Sequence, residues 1–198
     1  ITSFLEKNFI LLDDIKLDNS EFNFSSVILN RKVKYKGFIG SNKQKLDFDF
    51  KNIRNQNFNS KYGVTARIRF NGVAKNVEGI IDSISIYKLK NFEYGFDDIM
   101  EGKISNQGIA IGRYILKPNN SDSEIFKGQL LIRWYVDNQG ILKYDDISDY
   151  RDGYSNNQFY GYFLDKSNSK TETSWGHYRM PESGDLDIGT GEFSVNPK

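Results

Sequence analysis

The chain contains no cysteine, one histidine and three prolines. Without cysteine there is no disulfide, no thiol nucleophile and no thiolate-bound zinc, and a single histidine excludes any site built from two imidazoles of the same chain. Redox compartment stays open, because a chain of 198 residues can bury a sizeable core without cross-links. An excess of one charge is lacking too. The 27 basic and 26 acidic residues leave a net +1, so no global field selects nucleic acid, membrane or an acidic substrate. No apolar run approaches the length of a membrane span and no signal peptide is legible, while a start at Ile1 leaves a removed leader open. Abundant Asn, Lys and Ile look like a bias of base composition. The expected setting is that of an exported or surface-attached bacterial domain.

What the chain does have is aromatic residues, 15 Phe and 12 Tyr, whose flat side chains suit a pleated surface. The firmest pattern is Gly128 to Tyr144, where Leu130, Ile132, Trp134 and Val136 alternate with Gln129, Arg133 and Tyr135, Leu131 being the exception. Asp137-Asn138-Gln139-Gly140 then supplies a turn, so a hairpin returning along Ile141 to Tyr144 is predicted. Val64, Ala66, Ile68 and Phe70 alternate with Thr65, Arg67 and Arg69 before Asn71-Gly72, a second hairpin signal. Leu46, Phe48 and Phe50 alternate likewise with Lys45, Asp47 and Asp49, and Val33, Tyr35 and Ile39 with outward lysines.

Further strands are expected over 21–29, 86–94, 100–104 and 107–116, the last with Gly108 and Gly112 permitting a bulge or a close backbone approach. Residues 4–17 read as a short helix or a strand. No amphipathic crossover helices are found, which excludes a parallel α/β sheet. The predicted class is therefore all-β, an antiparallel β-sandwich or β-barrel with few or no helices, in one domain over 1–198. A polar stretch near 51–62 is the candidate internal boundary or flap.

Candidate functional residues concentrate in three late segments. The acidic loop from Asp145 carries Asp146, Asp149 and Asp152 before Gly153, then Tyr154, Asn156 and Asn157. Oxygen donors at this density with a glycine suit Ca²⁺, but the spacing is not that of an EF-hand, and a solvated loop whose Asp and Asn cap turns is the better reading. Trp175, His177, Tyr178 and Arg179 offer flat faces and directional donors, the equipment of sugar-binding surfaces and protein hot spots. His177 as a general base is the sharper alternative. Asp185, Asp187 and Glu192 lie among Gly184, Gly189 and Gly191 and could serve as an acid and base pair. Lysines and arginines of the amino-terminal half read as protection of strand edges rather than a nucleic-acid surface.

The segment from Asn157 through Phe159 and Gly161 to Phe163 resembles the N-x-x-F-x-G-x-W strand of lipocalin-type barrels, with Phe163 at the Trp position and a late place in the chain. No function is carried over from that resemblance. The expectation is a non-enzymatic binding domain recognising a glycan or protein partner. Its site comprises Asp149, Asp152, Tyr154, Asn156, Trp175, His177, Tyr178, Arg179, Asp185, Asp187 and Glu192, without a resident cofactor. A carboxylate-dependent saccharide hydrolase and a ligand-carrying barrel are the alternatives.

Overall fold

The computed structural model describes residues 15–18, 22–30, 32–56, 61–121, 123–151, 154–181, 186–188 and 193–195, the last two segments as backbone. Strand β1 (Ile15–Leu17) is followed by a single helical turn, α1 (Ser25–Ile28). Then come β2 (Tyr35–Ile39), β3 (Gln44–Asn55), β4 (Tyr62–Phe70), β5 (Val73–Lys88), β6 (Ile104–Pro118) and β7 (Ile125–Asp137). Short β8 (Leu142–Tyr144) precedes β9 (Ser155–Leu164) and β10 (Lys170–Tyr178), and β11 (Leu186–Ile188) pairs with β12 (Phe193–Val195) in a separate two-stranded sheet.

Strands β2 to β7 pair in sequence, β7 pairs with β9, β9 with β10, and β10 returns to β2, all antiparallel. These eight strands close an antiparallel barrel. β1 continues the side of β5 that β4 leaves, and β8 continues the side of β7 that β9 leaves. Closure leaves the ring without a free first or last strand, which answers the edge problem that an open sheet of this length would face.

The predicted hairpins are present. Asn71 and Gly72 take φ of 52° and 71°, and Gly140 takes 79°, the left-handed values these turns need. Gly108 is a close approach: a Cβ there would lie 2.0 Å from the Tyr87 carbonyl oxygen and 2.7 Å from the Trp134 ring. Leu130, Ile132, Trp134 and Val136 all point into the barrel, with Leu46, Phe48, Phe50, Val64, Ala66 and Ile68. Leu131, the exception to the alternation, is buried on the outside with Ile109 and Ile111. Ser174 Oγ donates to the Pro181 carbonyl and Gln158 Nε2 to that of Arg179, so the segment after β10 folds back over the outer wall.

Trp175 stacks between Phe159 (centroids 3.6 Å, 6°) and Phe48 (3.9 Å, 12°), with Tyr35 and Tyr114 edge-on. An eight-stranded barrel is just wide enough for side chains to fill, and here an aromatic stack runs across its interior.

Three expectations are corrected. Residues 21–29 were predicted as a strand, but Phe24, Val27 and Ile28 are all buried at helical spacing, and 25–28 is the turn α1. Hydrogen bonds from Asn157 Nδ2 to the Val27 carbonyl and from Tyr35 Oη to that of Ile28 satisfy its last acceptors. Of the boundary or flap expected near 51–62, residues 51–55 are strand, and 57–60 lie outside the described residues. A bulge between Phe50 and Asn52 shifts the phase so that Ile53 also faces inward, and that shift hid the alternation. The stretch 89–103, predicted to hold strands at 86–94 and 100–104, is a loop with a 3-10 turn at Phe96–Asp98.

The two ends of the barrel differ. The turns at 40–43, 71–72 and 165–169 lie at one end, where β6 also runs out toward β7. The loop 89–103, the turn 138–141, residues 145–151 and α1 lie at the other, where β3 also ends.

Candidate functional site

The long-loop end brings the acidic loop and the His177 segment together. Tyr144 Oη lies 2.5 Å from His177 Nδ1, the Arg179 N–H donates to the Tyr154 carbonyl at 3.3 Å, and the Tyr154 ring meets the Tyr178 ring edge-on at 5.5 Å. Tyr178 takes φ of 63° as β10 ends, a left-handed conformation unusual for a bulky residue. Asp152, Asp185 and Glu192 lie outside the described residues, and Asp187 is described only as backbone in β11. The hydrolase alternative rested on those last three.

Two predicted residues have inward roles. Trp175 is 1% exposed within the barrel and presents nothing to the loop surface assigned to it. Its large apolar ring is worth more buried between Phe48 and Phe159 than spread on a surface. Asn156 is fully buried, and its amide replaces a missing strand: Oδ1 accepts from the Arg133 N–H at 2.6 Å, and Nδ2 donates to the Arg133 carbonyl at 2.9 Å. It stands where β7 parts from β9 to meet β8, so the side chain completes the wall's hydrogen bonding.

His177 is partly buried, and burial holds its imidazole down to about 4. With Tyr144 as donor, the neutral ring accepts at Nδ1, and burial raises the Tyr144 hydroxyl well above the usual phenol range. The Tyr154 hydroxyl donates to the Asp145 carbonyl. Tyrosines surround the imidazole, with the Tyr178 ring at 4.1 Å and the Tyr144 ring at 5.7 Å. The arrangement suits a neutral structural histidine better than a base poised near pH 7.

Beneath the surface one side chain braces both loops. Gln107, buried on β6, accepts from the Glu93 N–H (2.6 Å), donates to the Glu93 carbonyl (3.2 Å) and donates to Asp145 Oδ2 (3.0 Å). Asp145 Oδ1 in turn accepts from the Ile147 N–H. Burial pushes the Asp145 carboxyl above its ordinary range, against the pull of those two donors.

Above this brace stand exposed side chains of which Tyr178 was a predicted site residue and Phe96, Ile99 and Tyr150 were not. Phe96 is 69% exposed, Ile99 64%, Tyr150 53% and Tyr178 37%. Phe96 and Tyr150 meet edge-on at 6.3 Å across the two loops. Asp97 and Asp98 each take φ of 51°, consecutive left-handed non-glycine residues beside Phe96. Such backbone costs roughly 1–3 kcal/mol per residue and is found where surrounding structure imposes it, often at functional sites. The available signal was Gly95-Phe96-Asp97-Asp98, a glycine and two Asp in the gap between the strands expected at 86–94 and 100–104.

Arg151 and Glu93 join the loops by a 3.7 Å ion pair, and the Arg151 guanidinium lies 5.8 Å over the Tyr150 ring. Among the described residues, no three His, Asp or Glu side chains converge as a metal site, and no helix is long and apolar enough to cross a membrane. A separate cleft of about 410 Å³ lies beside α1, between residues 28–30 and 33–36 on one side and Asp47 to Lys51 of β3 on the other, with Tyr35, Phe48 and Phe50 along it. Comparison with protein-family models, with curated proteins and with solved structures finds no match to this chain.

Proposed function

We propose that this barrel is a non-enzymatic binding domain that recognises a macromolecular partner, glycan or protein, through the loop surface at its long-loop end. The observation that carries the reading is the exposed pair Phe96 and Tyr150, meeting across two loops, with Ile99 one turn from Phe96 and exposed Tyr178 within the field of Asp146 and Asp149. Scattered single apolar residues on a surface need no explanation, but aromatic residues brought together from several loops mark interaction sites. Support also comes from the brace below: Gln107 and Asp145 tie both loops to the barrel, which lowers the ordering cost of association. The interior is occupied by the stack around Trp175, which favours an outer surface over an enclosed ligand cavity.

The test is binding of the intact chain to glycan and protein arrays, repeated with Tyr150→Ala, Phe96→Ala and Tyr178→Ala. Partners bound by the wild type are expected to be lost or weakened about tenfold in at least two variants, with melting temperatures unchanged, because hot-spot aromatics contribute at that scale. Binding that survives all three substitutions refutes the placement.

A further inference from the structure

The two loops are far more acidic than the chain that carries them. Residues 89–103 and 145–151 hold seven carboxylates against three bases, a net −4 in a chain whose total is +1. Asp145 is buried beneath them, and Arg133, Lys143 and Arg179 flank the second loop. Asp97, Asp98, Asp146 and Asp149 remain exposed around Phe96, Tyr150 and Tyr178. Their field reaches the rings: after burial, Asp149 and Asp146 are the charges that raise the Tyr178 hydroxyl. Aromatic faces under negative potential attract cations, since the ring quadrupole and the carboxylates act in the same sense. The protein already uses Tyr150 in this way for its own Arg151.

Resting on the proposed binding role of this surface, we infer that its partner is a protein segment rich in Lys and Arg, whose cationic side chains lie on Phe96, Tyr150 and Tyr178 and pair with Asp97, Asp98, Asp146 and Asp149. A neutral glycan would use the aromatic faces but leave this charge unanswered, and an acidic one would be repelled. A protein strand or loop with alternating basic residues answers both features. Charge complementarity of this kind also speeds encounter, in a manner that salt suppresses.

The experiment uses the full chain and two probe sets: 12-residue peptides carrying zero to six Lys or Arg at varied spacing, and an array of neutral and acidic glycans. Binding is expected for a subset of the basic peptides only. For that subset, Tyr150→Ala and Phe96→Ala should each weaken affinity about five- to tenfold, the size of a well-placed cation–π contact. The double variant Asp97→Asn, Asp98→Asn should weaken it and flatten its dependence on salt. Both aromatic positions are more than half exposed, so the folded state is retained, and thermal melting confirms it.

Glycan binding that is lost in the Tyr150 and Phe96 variants, with no peptide binding, overturns the cationic partner and leaves the binding role standing. Peptide binding that scales with charge alone and ignores both aromatic substitutions overturns the inference as non-specific attraction. Concentration-dependent self-association that blocks the surface overturns it in favour of a second copy. Silence on both probe sets overturns the inference and counts against the role itself.

Discussion

Acidification gives the sharpest check on the long-loop end, because the chain has a single histidine. His177 is a base whose folded-state pKa is displaced downward, from 6.5 to about 4, by burial. Between those values the unfolded chain binds a proton that the folded one refuses, so folding stability falls as pH drops. The contribution is intact above about pH 6.5 and lost progressively down to about pH 4. Carried over in full, the displacement is worth about 3 kcal/mol. The ring is only partly buried, and solvent screening reduces the expectation to about 1–2 kcal/mol.

Asp145 and Asp149 act in the opposite sense. Burial raises both carboxyls, so the folded state holds their protons more tightly and gains on acidification within the carboxylate range. Wild type must therefore be compared with His177→Phe, which keeps the shape and removes the titration. Urea unfolding from pH 7 to 4 should show the wild type losing about 1–2 kcal/mol more than the variant across that interval. The lone imidazole proton resonance reads the same quantity directly. A midpoint near 6.5, or parallel stability curves for the two proteins, would refute the claim that His177 is held neutral beside Tyr144.

Trp175→Ala removes the middle ring of a three-ring stack and should cost about 3–5 kcal/mol in chemical denaturation, the range for large core aromatics. Full stability in that variant would place the indole outside the core. Gln107→Ala removes the partner of the Glu93 N–H and of Asp145 Oδ2, Asp145 keeping only the Ile147 N–H at Oδ1, and should cost about 1–3 kcal/mol. Its distinctive sign is faster hydrogen exchange in 89–103 and 145–151 together, while the short-turn end stays protected; exchange raised in one loop alone would deny the cross-brace.

The class of fold was legible because strand alternation is a local signal. Leu46, Phe48 and Phe50, or Val64 through Phe70, declare their inward face within a few residues, and Asn71-Gly72 declares its turn. Bulges broke the signal: at Phe50 to Asn52 the phase shifts, and a strand looked like a flap. The helical spacing of Phe24, Val27 and Ile28 spans a single turn, too short for periodicity to stand out from the strands around it. For the site, the sequence named the acidic loop and the His177 segment, which the fold brings together, but it counted Trp175 and Asn156 as surface and passed over Phe96 and Ile99.

The sequence by itself determined the strands, the tight turns and the exclusion of cysteine chemistry, since each depends on residue type and near neighbours. Tertiary structure alone decided barrel over sandwich, because closure is set by β10 meeting β2, with Thr173 opposite Ile39 more than a hundred residues away in sequence. It also decided which aromatics face in. Trp and Tyr are at home in a core or on a surface, and only the register of eight strands sends Trp175 into the stack. The same register sets the loops carrying Phe96 and Tyr150 side by side at the long-loop end.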